Sequence, residues 1–233
     1  MGKIVALGGG RFDNGEMDNV TEHIISLTGK KNPLILIIPT ASYDNMTDDD
    51  DVKLCFEKFG CTTDILFLTH EDVNENVISE KINACDGIFV QGGNLLFLMD
   101  TWKKTGADKY LIKAFEDGKV LSGVSSGAMC WFTEGYDDCL EDNAFAFVEC
   151  LGLIKGYINC PHYQSEYWQS FEKALPTRTL SGIACDNGAG FCFVDGKFYT
   201  VCGNEDGDCF LYDINDNYKK INLTEHPEVL ETL

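Results

Sequence analysis

Val120-Leu121-Ser122-Gly123-Val124-Ser125-Ser126-Gly127-Ala128-Met129 is the stretch from which the fold is read. Lys119 to Leu121 is of strand type, and Ala128 to Phe132 favours helix. Between them, Gly123-Val124-Ser125-Ser126-Gly127 fits Gly-x-Ser-x-Gly, a sharp strand-to-helix turn that lifts its central side chain to the carboxyl edge of a sheet. Glycine suits both flanking positions because such a turn brings backbones too close for larger side chains. Ser126 then starts the helix, with its N–H aimed at a developing oxyanion. The same residues also fit a tight turn that merely contains two serines. The strand before and the helix after favour the first reading.

Working outward, the upstream chain alternates strand and helix. Lys3 to Leu7 is a strand running into Gly8-Gly9-Gly10, and Glu16 to Leu27 carries Val20, Ile24 and Leu27 at helical spacing. Pro33 to Pro39 is continuously apolar, as expected of a strand buried on both faces of a parallel sheet. Helices over Asp51–Phe59, Val77–Ala84, Leu95–Trp102 and Ala107–Glu116 alternate with strands over Thr63–Leu68 and Gly87–Val90, and then comes the strand of the turn. This predicts an α/β fold with a doubly wound, mostly parallel sheet and helices on both faces. Downstream, Ala144–Leu153 reads as helix or packed loop, Tyr157-Ile158 as a short strand, and Ser165–Leu175 as a helix. Ser181–Cys185 is a short strand, Ala189–Val194 and Lys197–Cys202 form a C-terminal β-hairpin about Asp195-Gly196, and Asp208–Ile214 adds a strand. No Pro/Gly/Ser-rich linker interrupts the chain, so residues 1–233 read as one α/β domain.

Composition narrows the function classes. A hydrophobic content of 44% over 233 residues supports a sizeable core. A net charge of −20 disfavours nucleic acid, whose phosphates it would repel. No apolar run reaches the length of about 18 residues that suggests a membrane span, and the start lacks the apolar stretch of a signal peptide. The 11 cysteines include no Cys-x-x-Cys pair, and several sit in apolar runs, which suits a reducing, cytoplasmic setting. The four histidines are scattered, so no metal is expected. Asp48-Asp49-Asp50-Asp51 lacks the alternating spacing of a calcium loop and reads as a solvated helix start.

Ligands of an open α/β sheet sit beyond the carboxyl ends of its strands. Gly92-Gly93-Asn94 lies there, and its bare backbone suits a second oxyanion donor opposite Ser126. Asn94 suits either a helix cap or a substrate contact. Gly8-Gly9-Gly10 has neither the spacing nor the lysine of a phosphate loop. Arg11, which follows it, is one of only two arginines; the other, Arg178, is placed at the opposite edge. Arg11 suits a substrate carboxylate, or else a surface pair with Asp13 or Glu16. A serine nucleophile needs a base. His162, in Asn159-Cys160-Pro161-His162-Tyr163, lies in a loop between elements, whereas His23, His70 and His226 lie elsewhere.

Taken together, Gly-x-Ser-x-Gly-Ala, the Gly92-Gly93-Asn94 loop and Pro161-His162-Tyr163 resemble the serine peptidases that include dipeptidase E (aspartyl dipeptidase) and cyanophycinase. That family's fold is similar to class I glutamine amidotransferases. The resemblance covers about Gly87 to Val194 and the general layout before it. It implies Ser125 as nucleophile, His162 as base, and the N–H groups of Gly93 and Ser126 as the oxyanion hole. For the third member, relatives place an acid soon after the turn's helix, matched by Asp138. Asp186, in Ala184-Cys185-Asp186-Asn187-Gly188, is the alternative; cyanophycinase-type relatives carry Glu where Asn187 stands, and Asn supplies no charge to an imidazolium. The chain departs from the family's Ser-Ala-Gly by having Ser126, and an amidotransferase would carry Cys at Ser125. The resemblance therefore implies hydrolysis of short peptides through an acyl-enzyme, with Asp near the scissile bond; the net charge of −20 and the place of Arg11 after the first strand make any acidic preference depend on Arg11. No cofactor is expected, nor any nucleic-acid or membrane partner, and the chain is expected as a monomer or homodimer. Rival readings are an esterase or amidase of small acyl compounds, and a non-catalytic α/β protein that binds a small ligand.

Overall fold

The computed structural model describes residues 2–204 and 206–233. The first half builds β1 (Lys3–Leu7), α1 (Asp18–Leu27), β2 (Leu34–Ile38), α2 (Asp51–Lys58), β3 (Thr62–Ile65), α3 (Glu75–Ala84), β4 (Gly87–Val90), α4 (Leu95–Thr105), α5 (Ala107–Glu116) and β5 (Val120–Val124). After the turn come α6 (Ser126–Met129), β6 (Phe132–Asp137), β7 (Ala146–Glu149), β8 (Ile154–Cys160), α7 (Phe171–Ala174), β9 (Ser181–Cys185), β10 (Ala189–Val194), β11 (Lys197–Cys202), β12 (Cys209–Asp213) and β13 (Lys219–Asn222).

The first sheet has seven strands in the order β11-β10-β1-β5-β4-β2-β3. Five consecutive strands, β1-β5-β4-β2-β3, are parallel, as the alternating pattern predicts. Both faces are covered, which explains the continuous apolar runs. Ile35 and Ile37 of β2 enter one cluster with Val20 and Ile24 of α1 and Phe56 of α2. Leu36 and Ile38 enter the other, with Ile78, Ile82, Leu98, Trp102 and Leu111 of α3, α4 and α5. All four β2 side chains have 0% exposure, so each contributes about 1.5–3 kcal/mol of burial. The hairpin β10–β11 joins the sheet antiparallel to β1. Within the acidic run, Asp50 caps α2 by accepting from the N–H groups of Val52 (3.0 Å) and Lys53 (3.3 Å).

The second half differs from the expectation of one sheet. It forms a second, six-stranded sheet in the order β13-β12-β9-β8-β6-β7, with β6, β8 and β9 parallel to one another. Ala144–Leu153 contributes strand β7, with Val148 paired to Gly135 of β6. Alternation of buried Val148 with exposed Glu149 suits an edge strand better than a helix. The helix after the turn stops at Met129, and Phe132 already belongs to β6. Phe132 faces the core shared with the first sheet and Tyr136 faces outward; the register irregularity between Phe132 and Glu134 permits that switch. Ser165–Leu175 contains only one α turn, α7, flanked by short 3-10 turns at Trp168–Ser170 and Leu175–Thr177. Trp168, Phe171 and Leu175 pack onto the outer face of the second sheet, and Pro176 tightens the end of the segment. Packing on a sheet rather than helix propensity sets its course.

Backbone bonds gather three strand ends at the end of β1. Ser125 N–H donates to Leu7 O (3.0 Å), His162 N–H to Gly8 O (3.0 Å) and Gly188 N–H to Gly9 O (3.0 Å). The ends of β5, β8 and β9 thus meet the glycines after β1, with the Gln91–Asn94 loop after β4 beside them. Among the described residues, no helix is long and apolar enough to cross a membrane.

Candidate active site

Ser125 sits between β5 and α6 at φ 56°, ψ −122°. A non-glycine residue held there costs about 1–3 kcal/mol and persists only when its surroundings over-determine it. Those surroundings are backbone. A Cβ on Gly123 would come within 2.1 Å of Gly127 O, and one on Gly127 within 2.1 Å of Val90 O. A Cβ on Gly92 would lie 2.9 Å from the Ser125 Cβ, so the facing loop also needs a bare backbone.

His162 enters from the end of β8 at φ 52°, and its Nε2 lies 2.9 Å from Ser125 Oγ. Its Nδ1 lies 2.7 Å from Asn187 Oδ1. An amide oxygen only accepts, so Nδ1 carries the ring hydrogen and Nε2 is left bare to accept from the serine. Asn187 is held in turn by its own N–H, which donates to Gln164 Oε1 (2.8 Å). Gly9 backs the pair so closely that a Cβ there would lie 1.9 Å from Asn187 Oδ1 and 2.5 Å from His162 Nδ1. Trp168 packs beside the imidazole, ring centroids 5.4 Å apart. Burial pushes the His162 pKa below the ordinary imidazole value, partly offset by the bond to Asn187 and the field of Asp138.

The structure therefore brings together Ser125, His162 and Asn187, and neither Asp138 nor Asp186 reaches the imidazole. Asp138, at the end of β6, accepts from the Tyr167 hydroxyl (3.3 Å). Asp186 turns away and accepts from Asp208 N–H (3.2 Å) through Oδ2, while its buried Oδ1 has no partner among the described residues. Burial raises the Asp186 pKa. The resemblance does point to position 187, but an uncharged residue there does not announce itself as a partner for histidine.

Gly93, at φ 147°, lies against Ala41: a Cβ would come within 2.1 Å of Ala41 O. Asn94 acts as a cap. Its Oδ1 accepts from Phe97 N–H (2.8 Å) and its Nδ2 donates to Cys139 O (3.2 Å), which commits both ends of the amide. Ser126 has 0% exposure, and its hydroxyl points away from the site, donating to Gly93 O (2.7 Å) and lying 3.1 Å from Asp137 Oδ2. Its N–H opens α6, where no intrahelical acceptor is available. Asp137 itself has no counterpart among the candidate residues; it is hidden in the sequence beside Asp138.

A cleft of about 450 Å³ opens next to His162 and Asn187, lined also by Arg11, Glu16, Gln164 and Asp186. Arg11 stands at its rim in a two-pronged bond to Asp13 (3.0 and 2.7 Å), with its side chain 69% exposed. Arg178 pairs with Glu134, away from the cleft. Among the described residues, no group of three or more His, Cys, Asp or Glu side chains is placed to hold a metal ion.

Peptidase family S51 matches residues 4–201 of the chain. The uncharacterised peptidase YgaJ of Bacillus subtilis is 31% identical over 212 residues, covering 89% of this chain and 90% of that protein. An uncharacterised Pasteurella multocida peptidase, PM1590, is 33% identical over 187 residues, covering 76% and 88%. Among solved structures, a peptidase from an acI-B1 Actinobacterium superposes with TM-score 0.76 at 20% identity, covering 95% of this chain and 94% of that one. A putative peptidase E from Listeria monocytogenes gives 0.67 at 19% identity, covering 87% and 98%.

Proposed function

The chain belongs to peptidase family S51 and is a peptidase; on that footing we propose that it cleaves short peptides through an acyl-enzyme formed on Ser125. The observation that carries this reading is the 2.9 Å contact between Ser125 Oγ and His162 Nε2 at a strained strand-to-helix turn. Ser125 Oγ bonds to the peptide carbonyl carbon while its proton passes to His162 Nε2. The N–H groups of Gly93 and Ser126 receive the oxyanion. His162 returns the proton to the leaving amine as the C–N bond breaks. Water then attacks the ester through the same base, and the acid product leaves. Asn187 orients the imidazole and selects its tautomer, and it adds no charge to stabilise the imidazolium.

Preference for an aspartyl residue rests on Arg11. A substrate carboxylate would have to displace Asp13 from the guanidinium, in a cleft that also presents Glu16 and Asp186. The peptidase is read as acting on free peptides, as a single 1–233 domain, in monomeric or dimeric form.

The test is a screen of dipeptides and tripeptides against the protein and its Ser125→Ala variant, with a serine-directed phosphonate probe alongside. Hydrolysis and labelling that both vanish in Ser125→Ala support the reading. Hydrolysis that survives the substitution overturns it.

A further inference from the structure

We propose that Asp137 is a positioning residue: its proton, handed on as a hydrogen bond through the Ser126 hydroxyl, holds the Gly93–Asn94 peptide and so aims the Gly93 N–H into the site. The inference rests on the reading of Gly93 as an oxyanion donor. Its ground is a count of hydrogens. Ser126 Oγ lies 2.7 Å from Gly93 O and 3.1 Å from Asp137 Oδ2. A hydroxyl has one hydrogen, and a carbonyl oxygen only accepts. The hydrogen of Ser126 goes to Gly93 O, the shorter contact. The contact to Asp137 then needs a hydrogen from the carboxyl. With Asp137 ionised, one of the two contacts becomes oxygen facing oxygen without a proton.

The chain has a mechanical consequence. Gly93 O is held by Ser126, and the N–H at the other end of the same peptide donates from Asn94 to Ala41 O (2.8 Å). A peptide plane pinned at both ends holds the carbonyl side of Gly93, so the Gly93 N–H is separated from that anchor only by the residue's own φ, 147°, and ψ. Glycine there has no side chain of its own to restrain it.

Asp137 has 1% exposure, a setting that favours the neutral acid. Burial raises its pKa to about 6 and Asp138 raises it further, while the contact with Ser126, which would favour the ionised form only if Ser126 turned its hydrogen from Gly93 O to the carboxylate, and the bonds from Cys139 and Leu95 N–H act to lower it. Cys150 and Tyr167 also lie within its field. Asp137 must keep its proton and His162 must lose its own, so turnover should fall on the alkaline side as Asp137 ionises and on the acid side as His162 protonates.

The experiment has two arms on the full-length protein. Carbon NMR of the Asp137 carboxyl, assigned by loss of its signal in Asp137→Asn, reads where the proton leaves. Steady-state kinetics against pH are measured for wild type, Ser126→Ala and Asp137→Asn. Asp137→Asn retains a donor and an acceptor, so it should keep kcat within about threefold and lose the alkaline fall. Ser126→Ala breaks the chain and should lower kcat about tenfold with KM little changed, as expected for a group acting on the transition state. A carboxyl that titrates at or below an ordinary aspartate overturns the inference while leaving the peptidase reading intact. So does an alkaline fall that persists in Asp137→Asn. A wild-type protein inert to both peptides and the serine probe overturns the peptidase reading, and with it the coupling of Asp137 to turnover, whatever the NMR titration gives.

Discussion

Replacing Asn187 with aspartate tests the most unusual feature of the site, a neutral partner for the histidine. The substitution is nearly isosteric and places a carboxylate where an amide oxygen now lies 2.7 Å from His162 Nδ1. A unit charge about 4 Å from the imidazolium centre is worth about 4 kcal/mol at an effective dielectric of about 20. Desolvating a new carboxylate beside Asp186 removes much of that gain. About 1.4 kcal/mol left over corresponds to about one pKa unit, or about tenfold in rate. As the proposed base, His162 acts only when neutral, and burial holds its pKa below the ordinary value. The acid limb of kcat should therefore move up by about one unit in Asn187→Asp, and kcat on the plateau should rise about tenfold. Asn187→Ala leaves Nδ1–H without its acceptor and should cost about a hundredfold or more. Asp138→Asn is the control. Its field raises the histidine pKa without contact, so its loss should lower the acid limb slightly and leave turnover within a few-fold. The assay is peptide hydrolysis from pH 4 to 10, about half a unit apart, with circular dichroism to confirm the fold. An acid limb that stays in place in Asn187→Asp, together with full activity in Asn187→Ala, would refute the assignment of Asn187 to the imidazole.

Ser125→Ala should lose about three or more orders of magnitude in kcat, and Ser126→Ala far less, because one hydroxyl faces His162 and the other faces Gly93 O; equal losses would contradict that division. Gly9→Ala places a Cβ 1.9 Å from Asn187 Oδ1, so it should part the histidine from its partner and lower kcat about a hundredfold. Unchanged kinetics in Gly9→Ala would mean the pair does not depend on this backing. For Arg11→Met, the comparison is an aspartyl peptide against its asparaginyl counterpart, and the ratio of their kcat/KM values should fall if Arg11 releases Asp13 to bind substrate. A ratio that does not move would remove Arg11 from specificity.

The legible part of the fold is the part written in local pattern. Leu34–Ile38 announces a strand covered on both faces by being apolar at every position, and that is how its side chains divide between the two cores. Val120–Met129 announces a turn because each glycine answers to a backbone atom within a few residues or on the adjacent strand. The second sheet was not legible, and the reason is physical. Phe132 lies next to a four-residue helix, and its own local preference does not decide between prolonging that helix and starting β6. The decision comes from β8, a strand that follows Gly152 and pairs with Phe132 through Ile154. Trp168, Phe171 and Leu175 mimic an amphipathic helix because they serve one sheet face from a segment of short turns.

The site divides along the same line. Ser125 is legible since its conformation is imposed by its immediate neighbours, and His162 stands out by its place between elements. The acceptor for His162 Nδ1 is chosen elsewhere, where the loop after β9 crosses the glycines after β1. Gly188 N–H bonds to Gly9 O and His162 N–H bonds to Gly8 O, so β1 sets the distance between the histidine and residue 187. A sequence scan for a charged partner looks for acids, and it finds Asp138 and Asp186 and passes over Asn187. Geometry selects by position before it selects by charge. Asn187 meets the imidazole because it occupies that crossing, and the cost of its neutrality falls on the histidine, whose pKa stays low. A base that gives up its proton readily also takes one up weakly in the transition state. The chemistry of this chain should consequently be slower per encounter than that of a charged triad, yet available at lower pH.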